Sequence, residues 1–281
     1  MKTLVFGEKG YFGSAIVSGI KNATGANADI CNVSEVSQAI EHVRPDVIIN
    51  CAGKTGRPNV DWCESNKLET VFPNVAGPLV LLSETMKRDI HFVHVSSGCV
   101  FNSSSQDRVF EENNSPNFQG SYYSKTKLLS EDLLLDFPVL ILRPRMPFDA
   151  SLNPRNLLTK IPTYSGLLNV KNSMTFLPDF VKAASELIRL NALGVYNIVN
   201  TGTISPYEIG LLYKELVDSE ADFKPLSNEE LNELVDAQRS NCSLSNKKLT
   251  DAGIKMQPIE TAIRSCLAQI GSLLKDCGGS T

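Results

Sequence analysis

Tyr123 and Lys127 stand four residues apart in Ser121-Tyr122-Tyr123-Ser124-Lys125-Thr126-Lys127, the spacing that places two side chains on one face of a helix. A phenol and an ammonium so arranged can move a proton. At about 4 Å and an effective dielectric of about 20 the cation contributes about 4 kcal/mol, which would bring the phenol roughly three pKa units down towards neutrality. Val95-Ser96-Ser97-Gly98-Cys99-Val100-Phe101 closes an apolar strand and offers Ser97 as a third hydroxyl, placed to share negative charge developing on a carbonyl oxygen. At the N-terminus, Lys2 to Phe6 runs straight into Gly7-Glu8-Lys9-Gly10-Tyr11-Phe12-Gly13. Glycines in such a turn let the backbone approach a pyrophosphate seated on the amides of the helix that follows. Position carries this motif as much as composition, because it follows the first strand of a βα alternation.

The elements that must hold these groups can be read from the rhythm of apolar residues. Lys2 to Phe6, Asp46 to Asn50, His91 to Val95 and Val139 to Arg143 read as strands, with a weak second strand at Ala28 to Cys31. Tyr11 to Lys21, Glu35 to Val43, Leu68 to Lys87 and Ser121 to Leu135 read as the intervening helices. That alternation predicts an α/β fold, a doubly wound parallel sheet with helices on both faces. From Pro144 through Pro162 the sequence turns rich in Pro and Asn, loop with one short helix. A helix at Pro178 to Leu190 and a strand at Val195 to Asn200 return to the sheet, and helices follow near Pro206 to Val217, Asn228 to Val235 and Ile259 to Lys275. The expected division is therefore a dinucleotide domain of residues 1–143 plus 178–200 and a small, mostly helical, discontinuous substrate domain of 144–177 plus 201–281.

Composition narrows the partners. With 281 residues and 42% hydrophobic residues the chain can bury a large core. A net charge of −4 offers no basic field for a nucleic acid backbone. Cys31, Cys51, Cys63, Cys99, Cys242, Cys266 and Cys277 are scattered, without paired spacing or interleaved histidines, so neither a disulfide framework nor a metal site is expected. No secretory leader and no apolar run of bilayer length is evident, and the expectation is a cytoplasmic chain with reduced thiols. For the cofactor, Asp29 is the acidic residue nearest the second strand and Lys9 could meet a 2′-phosphate, which favours NADPH, with NADH as the alternative.

The order of glycine turn, Asp46-Val47-Ile48-Ile49-Asn50-Cys51-Ala52-Gly53, serine strand end and Tyr-Lys helix resembles that of the dTDP-4-dehydrorhamnose reductases, extended short-chain dehydrogenase/reductases, over nearly the whole chain. It is similar above all to the plant nucleotide-rhamnose synthase/epimerase-reductases. That likeness runs through Thr55-Gly56-Arg57-Pro58-Asn59-Val60-Asp61-Trp62-Cys63-Glu64, Arg143-Pro144-Arg145-Met146-Pro147, Asn153-Pro154-Arg155-Asn156 and Arg239-Ser240-Asn241. The resemblance implies a Rossmann-type fold, a homodimer, and conversion of UDP-4-keto-6-deoxy-D-glucose into UDP-L-rhamnose. It adds Gly7, Gly10, Tyr11, Phe12, Gly13, Cys51, Ala52 and Gly53 as cofactor contacts, and Arg57, Asn153, Arg155, Asn156 and Arg239 as substrate contacts. Arginine forks match pyrophosphate oxygens, and Trp62 is placed to wall the sugar pocket or to anchor the core.

Two positions separate the bifunctional relatives from plain reductases. Cys99 stands where the single-function enzymes carry a tyrosine, and Lys160 follows Asn156 by one helical turn. The resemblance makes them an epimerase acid/base pair, since a C4 ketone acidifies the protons on C3 and C5 and both groups can exchange protons near neutrality. Three readings follow: a bifunctional 3,5-epimerase/4-reductase, a 4-reductase alone acting on a dTDP- or UDP-linked sugar, and a non-catalytic NADP-binding regulatory subunit.

Overall fold

Strand residues that are apolar on both sides can only be accommodated between two layers of helices, and that is how the central sheet of this computed structural model is built. It describes residues 1–105 and 107–278, the side chains of 276–278 excepted, so Cys277 lies outside the described side chains. In chain order the strands are β1 (Thr3–Phe6), β2 (Ala23–Ala26), β3 (Val47–Asn50), β4 (His91–Val95), β5 (Val109–Phe110), β6 (Val139–Pro144), β7 (Pro147–Phe148), β8 (Gly166–Leu168), β9 (Thr175–Phe176), β10 (Gly194–Ile198), β11 (Lys224–Leu226) and β12 (Ser243–Leu244). The α-helices are α1 (Tyr11–Gly19), α2 (Val33–Val43), α3 (Trp62–Ser65), α4 (Lys67–Val71), α5 (Gly77–Met86), α6 (Tyr122–Leu134), α7 (Leu157–Lys160), α8 (Leu177–Arg189), α9 (Pro206–Leu216), α10 (Asn228–Asn232), α11 (Lys247–Asp251) and α12 (Ile259–Gly278).

The main sheet has the order β10-β6-β4-β3-β1-β2, and every pairing in it is parallel. Successive residues of β1 divide between its two faces. Val5 joins Ile49, Val93, Leu140 and the α8 residues Phe180, Ala184 and Leu187, whereas Leu4 and Phe6 join Ile48, Phe92, Ile141 and Leu81 of α5. The chain order reverses between β1 and β3, so a crevice opens beyond the carboxyl ends of those strands.

Two expected elements differ. The second strand is Ala23–Ala26, not Ala28 to Cys31. As an edge strand pairing with β1 alone it needs no apolar run, and Ile30, which made the later segment look like a strand, instead drops from a loop into the core. The helix expected over Leu68 to Lys87 is interrupted by a π-helical turn at Phe72–Ala76, whose Asn74 is fully buried.

A separate apolar cluster gathers Phe148, Leu158, Ile161, Leu167 and Met174 with Ile209, Leu212, Ile263 and Leu267 of α9 and α12. The C-terminal segment also packs against the sheet: Leu249, Ile254 and Met256 share a core cluster with Val5 and Leu140. No helix among the described residues is long and apolar enough to cross a membrane.

Candidate active site

The glycine turn is built by close backbone approach. Gly7 has φ +80°, and a Cβ there would lie 2.5 Å from the Ala52 amide nitrogen. A Cβ at Gly13 would lie 2.1 Å from the Gly7 carbonyl oxygen. The loops after β1 and β3 therefore meet without side chains between them, and α1 begins with neither a side-chain cap nor an acidic residue in its first turn. Uncapped amides at a helix N-terminus suit an anion. A cleft of about 540 Å³ opens there, with Gly7, Lys9, Gly10, Asp29, Glu35, Ala52 and Gly53 among its lining. These features fit a dinucleotide.

Not every residue of the turn faces that cleft. Tyr11 is 6% exposed and belongs to the sheet's core, and Phe12 packs edge-on against Phe180 at 4.7 Å. Both were expected as cofactor contacts; their side chains pack into the core and anchor α1. Cys51 likewise packs against the core, its thiol pushed up to about 12 by burial. Lys9 Nζ lies 3.1 Å from Asn27 Oδ1. Asp29 Oδ1 accepts the Cys31 amide at 2.9 Å, and the residue is part of the cleft's lining.

The reactive hydroxyls come from β4 and α6. Ser121 caps α6 through its hydroxyl, which accepts the Ser124 amide, and Glu64 Oε1 accepts the Tyr122 amide at 2.6 Å. These contacts fix the first turn of α6, on which Tyr123 sits. Burial, then the neighbouring Cys99, push the Tyr123 phenol well above its usual range, and hydrogen bonding with Ser97 pulls it back only in part. The expected lowering by Lys127 is not what the structure displays. Lys127 Nζ turns inward, donating to the Val95 carbonyl at 2.9 Å and lying 3.3 Å from His94 Nε2. Its own value falls from 10.5 to about 8, chiefly through burial.

Ser97, Tyr123 and Cys99 come together: the Ser97 hydroxyl accepts the Cys99 amide at 3.1 Å. Arg145, 2% exposed, reaches Cys99 Sγ at 3.4 Å and Ser240 Oγ at 2.9 Å, and also bonds Asn172 Oδ1. Lys160 closes α7, half-buried, its ammonium lowered by burial and then by Arg155.

Two expected substrate contacts also bond groups of the protein itself. Arg239 forms a two-point pair with Asp61 at 2.7 and 3.0 Å and also donates to the Ala237 carbonyl. Asn156 is fully buried; its amide donates to Asp149 and Ser151 while its oxygen caps α7. Asn153 Oδ1 accepts the Arg155 amide. Arg57 and Arg155 are exposed. Trp62 is half-buried beneath Lys54 at 5.5 Å.

Sequence reasoning missed three buried polar residues. Asn74 accepts the Lys54 amide at 2.7 Å and donates to Thr126 Oγ1 at 3.0 Å, tying the β3 loop to α6. Asn50 and His94 form a pair beneath Lys127. A polar residue inside an otherwise apolar strand was the available signal for both.

A parallel sheet with this glycine turn after its first strand is a Rossmann-type dinucleotide-binding fold. The family profile described as the RmlD substrate binding domain matches residues 1–272, and the chain belongs to that family. It is 37% identical over 258 residues, 88% of this chain and 85% of the relative, to a bifunctional dTDP-4-dehydrorhamnose 3,5-epimerase/dTDP-4-dehydrorhamnose reductase of Arabidopsis thaliana. A trifunctional UDP-glucose 4,6-dehydratase/3,5-epimerase/reductase of the same plant is 35% identical over 275 residues, and there the chain spans 41% of the relative's length. Among solved structures, a UDP-rhamnose synthase of Acanthamoeba polyphaga mimivirus matches with TM-score 0.89 and 32% identity, over 96% of this chain and 99% of that one. A Bacillus anthracis dTDP-4-dehydrorhamnose reductase in complex with NADP shares the fold at TM-score 0.83 and 20% identity, over 96% and 99%.

Proposed function

We propose that this chain reduces the C4 ketone of a nucleotide-linked 4-keto-6-deoxy sugar with NADPH and first inverts C3 and C5, turning UDP-4-keto-6-deoxy-D-glucose into UDP-L-rhamnose. The observation that carries the reading is one cluster in which Ser97, Tyr123 and Cys99 adjoin, with the Arg145 guanidinium on the thiol. The plant and viral relatives named for epimerisation, reduction or UDP-rhamnose synthesis support it.

Gly7, Lys9, Gly10, Asp29 and Gly53 would hold the dinucleotide, with Lys127 towards its ribose. When bound, NADPH supplies the hydride for C4. Tyr123 then donates its O–H proton to the C4 oxygen, and the Ser97 hydroxyl hydrogen-bonds that oxygen as charge develops. The raised phenol stays protonated at neutral pH, so the acid rests in its donating form. For inversion, Cys99 and Lys160 remove and return protons beside the ketone, with Arg145 opposite the thiol as a fixed positive charge. The cluster around Phe148, Ile209 and Ile263 we assign to the substrate unit, and exposed Arg57 and Arg155 to the pyrophosphate.

The second reading is a 4-reductase alone, favoured by the Arg155 cation that acts on Lys160. Cys99→Ser separates them. In deuterated water the variant should lose solvent deuterium uptake at C3 and C5, read by NMR, while still reducing a pre-epimerised substrate. Uptake at the wild-type rate would remove Cys99 from the epimerase step.

A further inference from the structure

Asn50 ends β3 and pairs in register with His94 on β4. Both are wholly buried, and Lys127 above them is 4% exposed. Three contacts run in series. The Ala52 amide donates to Asn50 Oδ1 at 2.9 Å; Asn50 Nδ2 lies 3.2 Å from His94 Nδ1; His94 Nε2 lies 3.3 Å from Lys127 Nζ.

The first contact fixes the sense of the others. An amide N–H can only donate, so the Asn50 carbonyl must face Ala52 and its NH2 must face the imidazole. His94 Nδ1 must therefore accept. A neutral imidazole accepting at Nδ1 carries its proton on Nε2, and that N–H points at Lys127 Nζ. An amine offers a lone pair there, whereas an ammonium would oppose donor to donor. The Val95 carbonyl takes one N–H of Lys127 in either form.

We propose that Ala52, Asn50 and His94 form a hydrogen-bond relay of fixed polarity that favours the neutral amine of Lys127 over its ammonium, making His94 a positioning residue for that lysine. The consequence for turnover rests on the reading above that Lys127 serves the reaction; the relay itself does not. The groups facing Lys127 divide by sign. His94 from β4, by the N–H it turns towards Nζ, opposes the ammonium, whereas Glu131 on its own helix and Cys51 beyond β3 favour it. Glu131 is largely committed elsewhere, accepting from Arg143 Nε and from Ser96 Oγ. Burial holds the His94 imidazole neutral, its value lying well below the usual one.

The test begins with the unaltered protein. Nitrogen-15 NMR of His94 at pH 9 should find the proton on Nε2; a proton on Nδ1, or an imidazolium, would overturn the relay. Asn50→Asp then reverses the polarity, because a carboxylate still accepts the Ala52 amide but can only accept from Nδ1. In that variant the His94 proton should move to Nδ1, and the Lys127 titration, read from its own nitrogen-15 shift, should rise by about one pH unit or more. Because the new carboxylate raises the Lys127 titration by its charge alone, the tautomer decides: a His94 proton that stays on Nε2, or a Lys127 titration that does not move, would refute the proposal. The pH profile of sugar reduction distinguishes the two readings: if Lys127 moves in the NMR titration but the profile stays fixed, its place in the reaction fails while the relay stands.

Discussion

Lys127 should cost the protein stability at neutral pH, by an amount that can be worked out from its setting. Burial lowers its ammonium from 10.5 in an unfolded chain to about 8 in the fold. Between those values the unfolded state holds the extra proton, so stability rises as pH climbs from about 8 towards 10.5, and the penalty is in full force below that window. The gap corresponds to about 3 kcal/mol. Carried through the linkage relation, about 1 kcal/mol of it is recovered between pH 7 and pH 9, or roughly 2 to 4 °C in Tm for a domain of this size. Lys127→Met retains the apolar stem and abolishes the titration. It also removes the bond to the Val95 carbonyl and the contact with His94, so its stability at a single pH decides nothing. The slope decides. Urea unfolding of both proteins at pH 7 and pH 9 should find the difference between them shifting by about 1 kcal/mol in favour of the lysine protein at the higher pH. The cysteines whose thiols burial raises, Cys51 and Cys266 among them, titrate in both and cancel. Parallel curves would refute the reasoning, and with it the account of Lys127 as a buried cation held against its solvation.

Two further changes probe the same architecture. Gly13→Ala should weaken NADPH binding by about tenfold or more in a fluorescence titration, because the new Cβ meets the Gly7 backbone, which cannot rotate away as a side chain would. Glu131→Gln should cost about 3 to 5 kcal/mol in urea unfolding, since it leaves Arg143, 2% exposed, as an uncompensated buried charge and alters the acceptor of the Ser96 hydroxyl. Replacing both partners by apolar residues, Glu131→Leu with Arg143→Met, should recover most of that loss.

The central strands were legible because a sheet covered on both faces leaves no choice but continuous apolar sequence, as in Leu4-Val5-Phe6 and Val47-Ile48-Ile49. The second strand was misplaced for the same reason in reverse. Ala23-Thr24-Gly25-Ala26 lies at the edge, and Gly25 is small because a Cβ would strike the Glu8 side chain at 2.3 Å, so packing against the glycine turn, not β propensity, selects its residues. The π turn at Phe72–Ala76 could not be read from a continuous helical pattern, and the partners of its buried Asn74, Lys54 and Thr126, lie far away in sequence.

In the candidate site, the tyrosine, lysine and serine could be singled out from sequence because their relation is local, one helical turn or one strand end. The arginines were not, and the reason is the valence a side chain has left after folding. Arg239 resembles a phosphate fork until Asp61, 178 positions away, takes two of its nitrogens. Arg145 carried no assigned role in its Arg-Pro-Arg string, yet the fold brings it against Cys99 and pins it through Ser240 and Asn172. Arg145 thereby places fixed positive charge beside the thiol, while Arg239 holds the segment that supplies Ser240. A substitution at Asp61 would therefore act on the Cys99 pocket by loosening residues 237–240, without touching either thiol or sugar.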